Sequence, residues 1–160
     1  MSETIKITPG IGLSIKYNGV FDFDKLYKEM HEWFVGYQYD FNEKEQTKKF
    51  GDLGAKVEFK WIGNRRIDDY AQFTIEVHTL IEEMNKVEKL DSGKLSIEIT
   101  ASLILDYKNK WQSNPVRNFF FKIYNKFIIK DKLNKYYIEK LYEESTNLQN
   151  TIKSILGLYS

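Results

Sequence analysis

The chain has no cysteine, two prolines, two histidines and nine glycines in 160 residues. Without cysteine there are no disulfides, no thiolate metal sites and no thiol nucleophile. That suits a reducing compartment, and a cytoplasmic protein is expected. The low proline and glycine content and the absence of low-complexity stretches exclude a disordered chain beyond the termini. Long apolar runs are missing too. The longest uncharged run is Ile7 to Ile15, well short of the roughly 18–20 apolar residues of a spanning helix. The start, "MSETIKITPG", has no apolar core of signal-peptide length, so neither a leader nor a transmembrane segment is expected. Net charge is +1, which gives no global argument for nucleic acid.

Aromatics are abundant at 16%, with eleven Tyr and eleven Phe, and supply bulk for one core. At this length one domain over residues 1–160 is expected. In "IGLSIKY", Ile11, Leu13, Ile15 and Tyr17 alternate with Gly12, Ser14 and Lys16, a half-buried strand. The period then changes. Phe23, Leu26, Tyr27, Met30, Trp33, Phe34 and Tyr37 fall on one side of a helix, with Asp22 as N-cap, Asp24 in the first turn and Gly36 as the stop. From about Tyr39 to Lys110 the pattern is strand. Val57, Phe59 and Trp61 alternate, as do Ala71, Phe73, Ile75 and Val77. "GNRR" (63–66) and "DSG" (91–93) read as turns, and "GDLG" (51–54) as a loop. Leu95, Ile97, Ile99, Ala101, Leu103 and Leu105 form the strongest strand. Connections this short call for antiparallel pairing. The expected fold is α+β in two layers: a curved antiparallel sheet, one N-terminal helix, and a long, kinked or doubled C-terminal helical region.

That last region is the most biased. Residues 114–141, "NPVRNFFFKIYNKFIIKDKLNKYYIEKL", hold seven basic, two acidic and seven aromatic side chains. Ser113 or Asn114 caps it, with Pro115 in the first turn. At 100° per residue, Val116, Phe119, Phe120, Phe121, Ile123, Tyr124, Phe127 and Ile128 cover an arc of roughly 200°, wider than an ordinary surface stripe. Either two surfaces bury this helix or part of it is exposed. At Lys130, Asp131 and Lys132 the phase slips, so a kink or break is expected. Beyond it Ile138, Leu141, Ser145, Leu148, Ile152, Ile155 and Tyr159 recur at spacings of three and four, a seam of three heptads. It either lies on the sheet or supports self-association through Ile138, Leu141, Leu148, Ile152 and Ile155.

Motifs for chemistry are lacking. No histidine pair has metal-ligand spacing, and His31 and His78 read as structural or solvent-facing. Asp68–Asp69 after Arg65–Arg66 reads as a salt-linked turn; Glu82–Glu83 and Glu143–Glu144 read as solvated pairs. There is no Walker motif, dinucleotide fingerprint or nucleophile elbow. No cofactor or metal is expected, and the reading leans to a non-enzymatic protein.

The segments "YNGVFDFDKLYKEMHEWF", "DDYAQFTIEVH" and "LILDYKNKWQSNPVRNFFFKIYNKFII" resemble small, uncharacterised archaeal α+β proteins. In chain order the sequence is also similar to helix-grip, START-like domains. That resemblance implies a hydrophobic ligand between sheet and last helix. The chain differs from that fold in having one helix, not two, after the first strand, and a kinked or doubled final helix.

The sequence thus points to a binding or assembly module. Its surface would be Arg117, Lys122, Lys126, Lys130, Lys132 and Lys135 with Phe119, Phe120 and Phe121. Its partner would be a protein or an anionic membrane surface, a homo-oligomer where the seam is used, and a peripheral membrane location where lipid is the partner. The competing reading is a solvated basic face whose lysine stems cover apolar surface. The alternative function is a carrier holding a hydrophobic molecule against Leu95, Ile97, Ile99 and Leu103. Nucleic acid is the weaker alternative, because only one cation of the cluster is Arg.

Overall fold

A computed structural model describes residues 3–8, 12–105, 116, 119 and 133–158. The elements are β1 (Glu3–Lys6), β2 (Leu13–Phe21), α1 (Phe23–Gly36), β3 (Asp40–Gly51), β4 (Gly54–Arg66), β5 (Ala71–Val87) and β6 (Leu90–Leu105). A π-helical stretch, Leu133–Ile138, then runs into α2 (Glu139–Ile155). This is the expected α+β class, with a curved antiparallel sheet and helices at both ends of the chain. The sheet order is β1-β6-β5-β4-β3, and β2 shares the β1 edge of β6. β1 faces Ser102–Leu105, and β2 faces Asp91–Ile99.

Alternation drives the packing. Leu95, Ile97, Ile99, Ala101, Leu103 and Leu105 are all buried, as are Phe73, Ile75, Val77 and Ile81 opposite them. Their intervening neighbours reach the other face, where exposure is intermediate. Every second side chain points the same way from a strand, so all this apolar surface leaves the sheet on one side and must be covered there. Bulges at Glu43/Glu45, Ala55/Val57 and Glu82/Asn85 interrupt the register and bend the strands.

Helix α1 covers the β4 end. Asp22 caps it, its Oδ1 accepting from the Lys25 amide at 3.1 Å, and Leu26, Met30, Trp33 and Phe34 are buried. Gly36 is the last helical residue, as expected, but the left-handed turn falls on Gln38, with φ 64°. Trp61 is ringed by Tyr27 (4.7 Å), Phe41 (4.7 Å) and Phe59 (5.2 Å).

Two expected turns are strand instead. "GNRR" lies inside β4, and the chain reverses at 67–70. Gly63 is there for space: an added Cβ would stand 2.6 Å from Phe34 ring carbons, well inside van der Waals contact. "DSG" lies inside β6, and the hairpin turns earlier, at Glu88–Lys89, with Glu88 at φ 60°. Asp91 is buried there and holds Lys86 at 3.1 Å, which is why a turn-forming residue type sits in a strand. β1 was not foreseen. "GDLG" is a tight turn between β3 and β4, close to the expected loop.

Gly63→Ala should destabilise the fold by about 1–3 kcal/mol, the range of overpacked cores. Phe34→Leu in the same chain should recover part of that loss. Urea denaturation midpoints of the three variants check both.

Candidate functional site

Val116 and Phe119 of the basic-aromatic segment are helical, and each is 62% exposed. Arg117, Lys122, Lys126, Lys130, Lys132, Phe120 and Phe121 lie outside the described residues, with the cap at 113–115, the rest of the 116–128 helix and the break at 130–132. So does the side chain of Lys135. Leu133–Ile138 is π-helical backbone, whose wider turn shifts the phase of a helical stripe. There the paired tyrosines divide. Tyr136 is exposed with the Lys140 ammonium 5.6 Å from its ring, while Tyr137 is buried and donates its hydroxyl to Asp68 Oδ2.

The heptad seam faces inward. Leu141, Leu148 and Ile152 have no exposed surface in the single chain, and Ile138 and Ile155 pack partly buried beside them. Leu141, Leu148 and Ile152 of the expected seam thus pack into the protein's own core. Tyr159 lies outside the described residues.

A cleft opens where β4 ends, between the α1–β3 turn and α2. It measures about 860 Å³ and is lined by polar groups, including Gln38, Asn64, Arg66, Lys140 and Glu143. At its wall stands a buried ion pair that the sequence did not reveal. Arg65 Nη2 donates to Glu144 Oε2 at 2.7 Å, and Nη1 lies 2.6 Å from Oε1. Nη1 also donates to the Tyr37 carbonyl at 2.8 Å. The guanidinium lies over the rings of Tyr39 (4.9 Å) and Phe73 (5.4 Å). Glu144 is thus neither solvated nor merely paired in sequence with Glu143, and Arg65 reaches Glu144 rather than the aspartates beside it. Burial raises the Glu144 carboxyl pKa, with Arg65 opposing. Burial also raises the Tyr39 phenol, with the Glu144 charge adding to it.

Two further ties hold the C-terminal helix. Trp33 Nε1 donates to Asn147 Oδ1 at 2.9 Å, and Gln149 Nε2 donates to the Ser14 carbonyl at 3.2 Å. Asp68 closes an Asx turn through its Oδ1, which accepts from the Tyr70 and Ala71 amides at 2.8 and 2.7 Å. The turn expected at this aspartate pair is thus present, built on backbone hydrogen bonds. These groups orient α2; they do not form a nucleophile–base pair.

His78 lies on the outer sheet face, with Nε2 2.6 Å from Glu58 Oε1. His31 is exposed, its ring edge-on to Phe41 at 5.0 Å. Among the described residues, no three acidic or histidine side chains gather as metal ligands, and no helix is long and apolar enough to cross a membrane. Leu95, Ile97, Ile99 and Leu103, the face that a carrier would use, are at most 2% exposed. The chain matches no protein-family model, no curated protein and no solved structure.

Leu148→Ala should lower stability by about 2–5 kcal/mol through the cavity it leaves. The loss should be independent of protein concentration, as denaturation at two concentrations will check. A loss that grows on dilution would restore the seam as an oligomer contact.

Arg65→Ala should cost about 3–5 kcal/mol, because it strands a buried carboxylate. Arg65→Met with Glu144→Leu should cost much less. The pH dependence has a definite sign. Because its folded pKa is raised, Glu144 favours the fold fully below the unfolded carboxylate pKa. That contribution is lost as pH rises through the folded value. Denaturation midpoints of Glu144→Gln from pH 4 to 7 should lack this component.

Proposed function

We propose that the protein is a non-enzymatic binding module that docks on an anionic membrane surface through its basic-aromatic region, residues 116–140. The observation that carries this reading is the exposure of Val116 and Phe119. Both are helical, and each keeps 62% of its surface exposed. Fully burying a Phe side chain is worth roughly 1.5–3 kcal/mol, so covering the exposed part of this surface is favourable. Basic residues outnumber acidic ones seven to two in the surrounding stretch, which favours an anionic surface. Aromatic and aliphatic groups beside lysines suit the interface between headgroups and acyl chains.

A protein partner is the competing occupant. A hydrophobic carrier is less favoured because its sheet face is closely packed. A nucleic-acid binder is less favoured because the cluster is rich in Lys rather than Arg.

Wild-type protein should sediment with vesicles of phosphatidylserine and phosphatidylcholine, and less as salt is raised. Reversing Lys122, Lys126 and Lys130 to Glu should abolish this, and Phe119→Asp should weaken it. Failure of the wild type to bind such vesicles sinks the reading. Native mass spectrometry showing a copurified lipid would favour the carrier instead.

A further inference from the structure

Strand β3 is an open edge of the sheet. Among the described residues it pairs with β4 alone, and eleven of its twelve residues are exposed. One side of its backbone therefore presents N–H and C=O groups that can receive another strand. Charges ordinarily guard such an edge against pairing. Here they are sorted by sign. Asp40, Glu43 and Glu45 fall in the first half of the strand, and Lys48 and Lys49 in the second. Lys44 is the extra residue of the bulge between Glu43 and Glu45.

The register with β4 fixes which side each residue takes. Phe41, Glu43, Gln46, Lys48 and Phe50 stand opposite Gly63, Trp61, Phe59, Val57 and Ala55, and so share the helix-covered face. Asp40, Asn42, Glu45, Thr47 and Lys49 take the other face. The first row reads Phe-Glu-Gln-Lys-Phe. Turned end for end against itself, it matches: Phe41 meets Phe50, Glu43 meets Lys48, and Gln46 meets Gln46. The second row then sets Asn42 against Lys49 and Glu45 against Thr47. Aromatic pairs and opposite charges directly across a ladder stabilise it, and like charges weaken it. A slip of one position would set one face against the other. A slip of two would set Phe41 against Lys48, or Glu43 against Phe50. The matched register alone keeps both aromatic pairs and both ion pairs.

The side chains of this row are placed to be used. Phe50 is 84% exposed, with the Lys48 ammonium 5.2 Å from its ring. Glu43 accepts from the Tyr27 hydroxyl at 3.3 Å through Oε2, which leaves Oε1 for a lysine. Phe41 is already packed by His31 at 5.0 Å and Phe34 at 5.6 Å. A Phe50 arriving from outside would join that aromatic cluster.

We propose that β3 pairs with β3 of a second copy of this chain, antiparallel about a two-fold axis at Gln46, to make one continuous sheet across a dimer. A two-fold contact needs a surface complementary to itself and closes at two chains. The charge and aromatic pattern of β3 meets that need, which is what selects a second copy over a foreign strand. The contact stands on residues outside the 116–140 region and does not depend on a membrane.

Sedimentation velocity over a concentration series should show a monomer–dimer equilibrium for the wild type. Lys48→Glu sets like charges against Glu43 at both ends of the ladder and should weaken the dimer at least about tenfold. Glu43→Lys should do the same, and the double exchange, Glu43→Lys with Lys48→Glu, should restore it. Circular dichroism should stay unchanged, because both side chains are exposed. The chain has no cysteine, so Gln46→Cys reports on the axis directly. Its two thiols would stand on facing residues with Cα atoms about 4.5–5.5 Å apart, within disulfide reach. Mild oxidation should link this variant into dimers. Lys49→Cys, about 20 Å from its own copy along the ladder, should stay unlinked. A wild type that remains monomeric at the highest concentration overturns the proposal. So does a dimer that survives Lys48→Glu, one that the double exchange fails to restore, or equal cross-linking at the two cysteines.

Discussion

The structure depends on one constraint: the long strands send their apolar side chains out on the same face. β6 pairs with β5 on one edge and with β1 and β2 on the other, so its inward residues meet apolar neighbours from both sides. Val77 stands opposite Ile99, Ile75 opposite Ala101 and Phe73 opposite Leu103. A one-residue slip would turn the whole set toward water. The two bulges next to β5 lie at its hairpin end, where the core residues give way to exposed ones. The helices follow from this face. α1 brings a broad aromatic side to β4, and α2 a narrow aliphatic stripe to the rest.

An apolar stripe alone does not fix how a helix lies along a sheet, because sliding it by a turn costs little contact. Polar ties do. Arg65 to Glu144, Trp33 to Asn147 and Tyr137 to Asp68 each join the C-terminal helical region to a different part of the domain. A buried ion pair adds little net stability against an apolar replacement, yet losing one partner is expensive. Such a pair therefore selects one arrangement over its neighbours. The same site explains the polar cleft. Arg65 is held by Glu144, the Tyr37 carbonyl and two aromatic rings, so the wall beside the opening is structural.

Local pattern made β5, β6, α1 and α2 legible in the sequence, because burial there follows a strict period. Asp22 was legible as a cap for the same reason: its partner is three residues away. The failures have one physical origin. Gly63 and the "DSG" stretch carry turn-forming residue types, but their roles are set by a ring from α1 and by an ion pair with Lys86, which local pattern does not contain. Glu144 looked solvated because Arg65 lies 79 residues away in the chain. The short β1 depends on β6 for its existence. Of the sites, the buried part of the seam was readable, because Leu141, Leu148 and Ile152 recur at helical spacing. The hairpin tips left only a weak signal, a Phe and a Leu beside glycines, which resembles any loop.

Length decides where apolar surface is left over. β6 has 16 residues and α2 has 17. At about 3.3 Å per strand residue and 1.5 Å per helix residue, the strand runs about 50 Å and the helix about 25 Å. α2 is fixed near the end where β4 finishes, by Arg65, and reaches β2 at Ser14. α1 begins against Phe59, so the strands past Lys48 and Lys56 project beyond it. Among the described residues, then, the long strands run further than α2. An overhang selected only for solubility would carry polar side chains on its turns, as edge strand β3 carries charges along most of its length. Phe50, Leu53, Val87 and Leu90 break that rule: all four stay exposed at the hairpin ends.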